Sequence, residues 1–172
     1  LFGLVELISA LTGVGLLHVL SRYVPEAHSN HLNATTRRLI IGLTSLRVMV
    51  LAIVLGFLYT HADQLGPLIG LDGWEWAFKA YLLVVLIRVT ATTLFTVLES
   101  LLQQGVAQLG FSSVTILRFV ALIGLAMTLG LDLQTVILVE VATDLIGLLI
   151  MGIGLFRVLP PAQKHVVGQG WI

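Results

Sequence analysis

Three arginines and three carboxylates lie inside long apolar runs of this chain: Arg47, Arg88 and Arg118, and Glu6, Glu140 and Asp144. Their side chains suit two kinds of chemistry. A guanidinium presents a planar fork of donors that matches the oxygens of a phosphate. Two carboxylates at i,i+4, as Glu140 and Asp144 are, resist double ionisation when close, so one of them can hold and release a proton. A charge at the centre of a hydrocarbon layer costs ~2.5–3.5 kcal/mol on insertion scales, so such residues face a protein interior or a wet cavity. Arg47, Arg88 and Arg118 are therefore the candidate substrate-binding residues of a cavity. Glu140, Asp144 and Glu6 are the candidates for proton or ion coupling. A structural reading competes with this one: the six charges pair across helices as adhesion, or the arginines snorkel to an interface.

Spacing sharpens the choice on one segment. Arg88, Thr92, Thr96, Glu99 and Gln103 follow one another at intervals of four, four, three and four, which aligns them on one helical face while the rest of the segment is Leu, Val, Ile and Phe. Glu140 and Asp144 share a face, with Gly147 one turn on. Glu6, Ser9 and Gly13 form a shorter stripe.

The elements that must position these groups are five apolar stretches, roughly 1–20, 39–60, 80–98, 111–131 and 133–156. About 20 helical residues, at ~1.5 Å each, cross a hydrocarbon core of ~30 Å. Hydrophobic residues make up 58 % of the 172 and charged residues 10 %, and the mean hydropathy is +1.04. A soluble domain carries about 25 % charged residues. The expected class is all-α, a polytopic transmembrane helical bundle of about five spans. A formal net charge of zero argues against nucleic acid as a partner. With no cysteine, disulfides and thiolate metal sites are excluded. His28 and His31 have weak metal spacing and no supporting ligand, and His18 reads as interfacial; neither a metal nor a cofactor is expected. Segment 1–20 lacks the basic start and small-residue cleavage site of a signal peptide and carries Glu6 in its apolar run. The chain opens at Leu1 within that run, and residues 1–172 are read as part of a longer membrane protein, a partial N-terminal transmembrane lobe.

The connectors set an orientation. Segment 21–38 holds Arg22, Arg37 and Arg38, and Pro25 is expected to stop the preceding helix. Segment 61–79 has Lys79 as its one Lys or Arg, with Trp74 and Trp76 as an interfacial aromatic belt. Segment 99–110 is polar and amide-rich, 130–132 is a tight turn, and the tail carries Arg157, Pro160-Pro161 and Lys164. The excess of Lys and Arg places 21–38, 99–110 and the tail in the cytoplasm and 61–79 outside. Asn33-Ala34-Thr35 matches a glycosylation sequon but falls in the cytoplasmic loop, where that chemistry does not occur. Counting from the cytoplasmic ends puts the arginines roughly 12–17 Å deep and Glu6, Glu140 and Asp144 ~18–24 Å deep, an arginine layer inside a carboxylate layer. No GxSxG, HExxH or phosphate-cradling glycine loop is present, so no enzyme is expected.

Gly3-Leu4-Val5, then Gly13-Val14-Gly15-Leu16-Leu17, then Ser21-Arg22-Tyr23-Val24-Pro25-Glu26 resembles the second span and following cytoplasmic loop of the polysaccharide-biosynthesis, or O-antigen, flippases of the multidrug/oligosaccharidyl-lipid/polysaccharide exporter superfamily. Arg37-Arg38 before a long apolar span fits that pattern, as does Leu101-Leu102-Gln103-Gln104-Gly105. The resemblance extends over nearly the whole chain as spans two to six. It implies a two-lobed transporter of the bacterial cytoplasmic (inner) membrane working by alternating access. Its implied substrate is an undecaprenyl-pyrophosphate-linked glycan, met by cationic cavity residues, here Arg47, Arg88 and Arg118. The implied partners are membrane lipid and the remaining spans of the same transporter. The rivals are a drug/cation antiporter of the same superfamily, a membrane-embedded glycan polymerase or glycosyltransferase, and a structural or regulatory subunit.

Overall fold

A chain crossing a bilayer must satisfy its backbone N–H and C=O groups without water, and a helix does so within one segment. In the computed structural model, which describes residues 2–13, 15–30, 33–68, 70, 73–128, 130 and 132–159, every regular element among those residues is an α-helix. In chain order they are α1 (Phe2–Gly13), α2 (Leu16–Ser29), α3 (Asn33–Thr60), α4 (Ala62–Leu68), α5 (Glu75–Ser100), α6 (Gln104–Thr128) and α7 (Leu133–Val158). Four of them, α3, α5, α6 and α7, are each long and apolar enough to cross a membrane, and Glu6–Gly13 of α1 with α2 makes an apolar pair bent by 57°, a broken span or a re-entrant loop. This is a multi-pass membrane protein.

Helix α5 is the centre of the bundle. It packs most extensively on α7 and also meets α2, α3, α4, α6 and α1. Of its apolar window 56 % is buried, against 6 % for α6, so α6 is peripheral. One core cluster joins Leu51 and Leu55 of α3 to Phe78, Val84 and Val85 of α5 and Ile137 of α7. A second joins Leu20 and Val24 of α2 to Ile40 of α3 and Val97 of α5. Without a hydrophobic drive between helices in lipid, close approach depends on small residues, and α6 and α7 use them reciprocally. Val114 and Val106 sit over Gly147 and Gly154, and an added Cβ on Gly110 would lie 2.6 Å from Met151 Cγ.

Several sequence expectations change. The first apolar run is not one continuous span: α1 ends at Gly13 and α2 begins at Leu16 after Gly15, whose φ of 75° favours glycine. Segment 21–38 is mostly helical, and Pro25 lies inside α2 rather than ending a helix. Burial of Leu20, Val24 and Ala27 offsets the ~3 kcal/mol that an interior proline costs. The amide-rich connector 99–110 shrinks to Leu101–Gln103, because α6 already starts at Gln104. Helix α5 runs past its apolar stretch at both ends, α3 and α6 begin before theirs and α7 ends after its own, since terminal turns at head-group depth accommodate polar residues. His31, Pro160-Pro161 and Lys164 lie outside the described residues.

Candidate functional site: an arginine–carboxylate quartet beside a cleft

Glu140, Thr143 and Asp144 fall at i, i+3 and i+4 on α7, so they share the face that packs on α5 and α6. Asp144 is the hub. Its Oδ2 accepts from Arg88 Nε at 3.1 Å and lies 3.0 Å from Arg88 Nη2. Its Oδ1 accepts from Arg118 Nη2. Glu140 Oε2 lies 3.3 Å from Arg88 Nη2. Thr143 Oγ1 accepts from Arg118 Nε at 3.3 Å and donates to Val139 O at 2.8 Å. Two formal positive and two formal negative charges meet, which meets the requirement that buried ions be paired. The carboxylates are the inner members: Glu140 and Asp144 side chains are 8 % and 7 % exposed, against 19 % for Arg88 and 24 % for Arg118.

The two arginines open onto a cleft of about 460 Å³ between α5, α6 and α7. Its polar lining is Arg88, Arg118 and Asp144 with Thr92, Gln108 and Thr115. Its wall is apolar, with Phe95, Phe111, Val114 and Met151, and the Phe95 and Phe111 rings stand 5.9 Å apart. A second cleft of about 580 Å³ lies against α1, the start of α2 and α5, lined by Glu6, Ser9, Gly13 and His18 on one side and Arg88 and Thr92 on the other. Arg88 thus borders both clefts.

Arg47 sits elsewhere. It is 1 % exposed and lines neither cleft. Nη1 donates to Thr93 Oγ1 at 3.0 Å and Nη2 to Ser9 Oγ at 3.3 Å. No carboxylate pairs with it among the described residues. The C-terminal end of α1 supplies partial negative charge instead, and Gly13 admits the guanidinium, since a Cβ there would lie 3.3 Å from Nη2.

The structure therefore brings Arg88, Arg118, Glu140 and Asp144 together, sets Arg47 apart, and leaves Glu6 exposed at the rim of the second cleft. The expected separation into an arginine layer and a carboxylate layer is not found. Counting residues from the ends of apolar runs misplaces depth when the helices overrun those ends, and long guanidinium arms reach along the helix axis. Sequence reasoning missed Thr93, Ser9 and Thr143 as partners, and Gln108 and Thr115 as lining. The last two had a signal: Gln108, Phe111, Thr115 and Arg118 recur at three- and four-residue steps along one face of α6. Among the described residues no three His, Asp or Glu side chains are grouped to hold a metal ion. Compared with protein-family models, with curated proteins and with solved structures, the chain matches none.

Proposed function

We propose that the chain is part of a non-enzymatic transporter that moves an undecaprenyl-pyrophosphate-linked oligosaccharide across the bacterial cytoplasmic membrane by alternating access. One observation carries the reading: the cleft between α5, α6 and α7 is lined by two guanidiniums together with apolar side chains. That combination suits an amphiphile with an anionic head and a hydrocarbon tail. The resemblance of the segment Gly3–Glu26 and of Leu101–Gly105 to the polysaccharide flippases supports the substrate class.

In this reading the pyrophosphate competes with Asp144 and Glu140 for Arg88 and Arg118. Phosphate oxygens that take the guanidinium donors leave two buried carboxylates without counter-charge, an expensive state. A proton or cation taken up at Glu140 or Asp144 restores the balance, so substrate arrival and ion uptake are linked. Glu6, at the mouth of the neighbouring cleft, is a further acceptor on the path past Arg88. A drug/cation antiporter of the same superfamily would call for an acidic excess, and the quartet is balanced.

The adhesive reading has its own support, because Asp144 touches both arginines. Export by the intact transporter separates the two. Arg88→Ala removes charge-assisted hydrogen bonds worth ~1.5–3 kcal/mol, so glycan export should fall roughly 10- to 150-fold at near-normal expression. Arg88→Lys should recover part of it, keeping charge but losing the fork. Unchanged export in Arg88→Ala would remove Arg88 from the substrate path. Loss of the folded protein in both variants would favour adhesion.

A further inference from the structure

Helices α6 and α7 frame a third groove, of about 360 Å³, lined by Val106, Leu109, Ile150, Ile153, Gly154 and Arg157. It shares no lining residue with either cleft. Leu109 and Ile153 are 63 % and 54 % exposed, so the groove is open on the outer face of the described bundle. Its α7 side, from Ile150 to Arg157, runs ~10 Å along the membrane normal. Arg157 is the one charged residue of the lining and stands in the last turn of α7, at head-group depth. It is exposed and forms no ion pair or hydrogen bond with any described residue, and residues 160–172 contain no Asp or Glu. The first turn of α6, at the same end of the helix pair, has no acidic residue. Glu99, in the last turn of α5, is the carboxylate nearest the start of α6 in the chain, and it is neither part of the groove lining nor paired with Arg157.

We infer that this groove binds one anionic phospholipid of the surrounding bilayer, its acyl chain between α6 and α7 and its phosphate on Arg157. The complementarity is twofold: an apolar trough of hydrocarbon depth, and a lone cation placed where the head group begins. Gly154 lets Val106 seat closely against α7 in the lining. The site rests on membrane embedding alone, independently of the transport reading, so its failure would leave that reading untouched.

The test is native mass spectrometry of the full chain, released from nanodiscs of phosphatidylglycerol and of phosphatidylcholine. Wild type should retain one phosphatidylglycerol and hold phosphatidylcholine more weakly by roughly five-fold or more, the scale of one basic residue beside an anionic surface. Arg157→Gln should abolish that preference, and Arg157→Lys should keep it. Leu109→Trp, a substitution at an exposed position, should fill the trough and lower retention of both lipids with Arg157 intact. Equal retention of the two lipids by wild type, or a preference that survives Arg157→Gln, would overturn the head-group contact. Full retention in Leu109→Trp would overturn the groove.

Discussion

Asp144 is the residue on which both cleft arginines depend, since it accepts from Arg88 and Arg118 at once. Removing one partner of a buried ion pair typically costs about 3–5 kcal/mol, because the remaining charge stays buried. Asp144→Ala should accordingly lower the thermal unfolding midpoint in detergent more than Arg118→Leu does. The double variant should recover part of the loss, because it strands one fewer charge. A midpoint unchanged by Asp144→Ala would mean that the quartet contributes nothing to stability. The arginines and carboxylates were legible in the sequence because a charge in an apolar run stands out against its neighbours. Thr93, Thr143 and Ser9 were not. A hydroxyl in a membrane helix commonly returns its proton to the carbonyl one turn back, as Thr93 does to Val89 and Thr143 to Val139, and nothing in the sequence marks which of them also accepts from a guanidinium.

At the scale of elements, the α6–α7 contact is set by glycines rather than by bulk. Gly147→Leu would drive a side chain into Val114, and overpacking of this kind costs roughly 1–3 kcal/mol. The unfolding midpoint should fall, whereas leucine at the exposed Gly124, whose Cβ position meets nothing within 4 Å, should leave it unchanged. Equal effects at the two sites would refute the close approach. The start of α7 offers a pH test. Hydrogen bonds from Thr135, its side chain first and then its backbone N–H, hold the Asp132 carboxyl below its ordinary value. A lowered folded-state value means the cap contributes stability above the unfolded value of ~3.9, lost as pH falls through the folded one. Helix protection near Thr135, read by hydrogen exchange, should fade below that window in wild type and stay flat in Asp132→Asn. Four long helices could be read from their apolar runs. The break at Gly15 and the helix through Pro25 could not, because each depends on α2 packing against α3 and α5, and local rules for glycine and proline carry no knowledge of those neighbours.

The whole molecule presents two unlike surfaces. Met49, Ile53 and Phe57 of α3 are more than half exposed and recur every fourth residue, a face suited to lipid. The clefts beside α5 carry the polar groups instead. The helix order places residue 30 and residues 101–103 at one end of the bundle and residues 61, 73 and 74 at the other. The orientation expected from Lys and Arg can be tested directly, as the chain has no cysteine. Gln64→Cys should react with an impermeant maleimide on intact cells, and Asn30→Cys only after permeabilisation. The reverse pattern would invert the protein, and labelling of both from one side would remove α3 as a span.

The buried position of Arg47 also bears on how the protein is made. Its best partner, Thr93, lies 46 residues further along the chain. At ~5–20 residues per second of synthesis, α3 waits several seconds in or beside the membrane before that hydroxyl exists, with Ser9 alone to receive the guanidinium. During that interval α3, though apolar enough to cross the membrane, carries an under-partnered guanidinium whose cost is offset only when α5 arrives. Arg47→Leu should therefore let a chain truncated before α5 insert α3 more completely than wild type does, even though the finished bundle loses an internal tie.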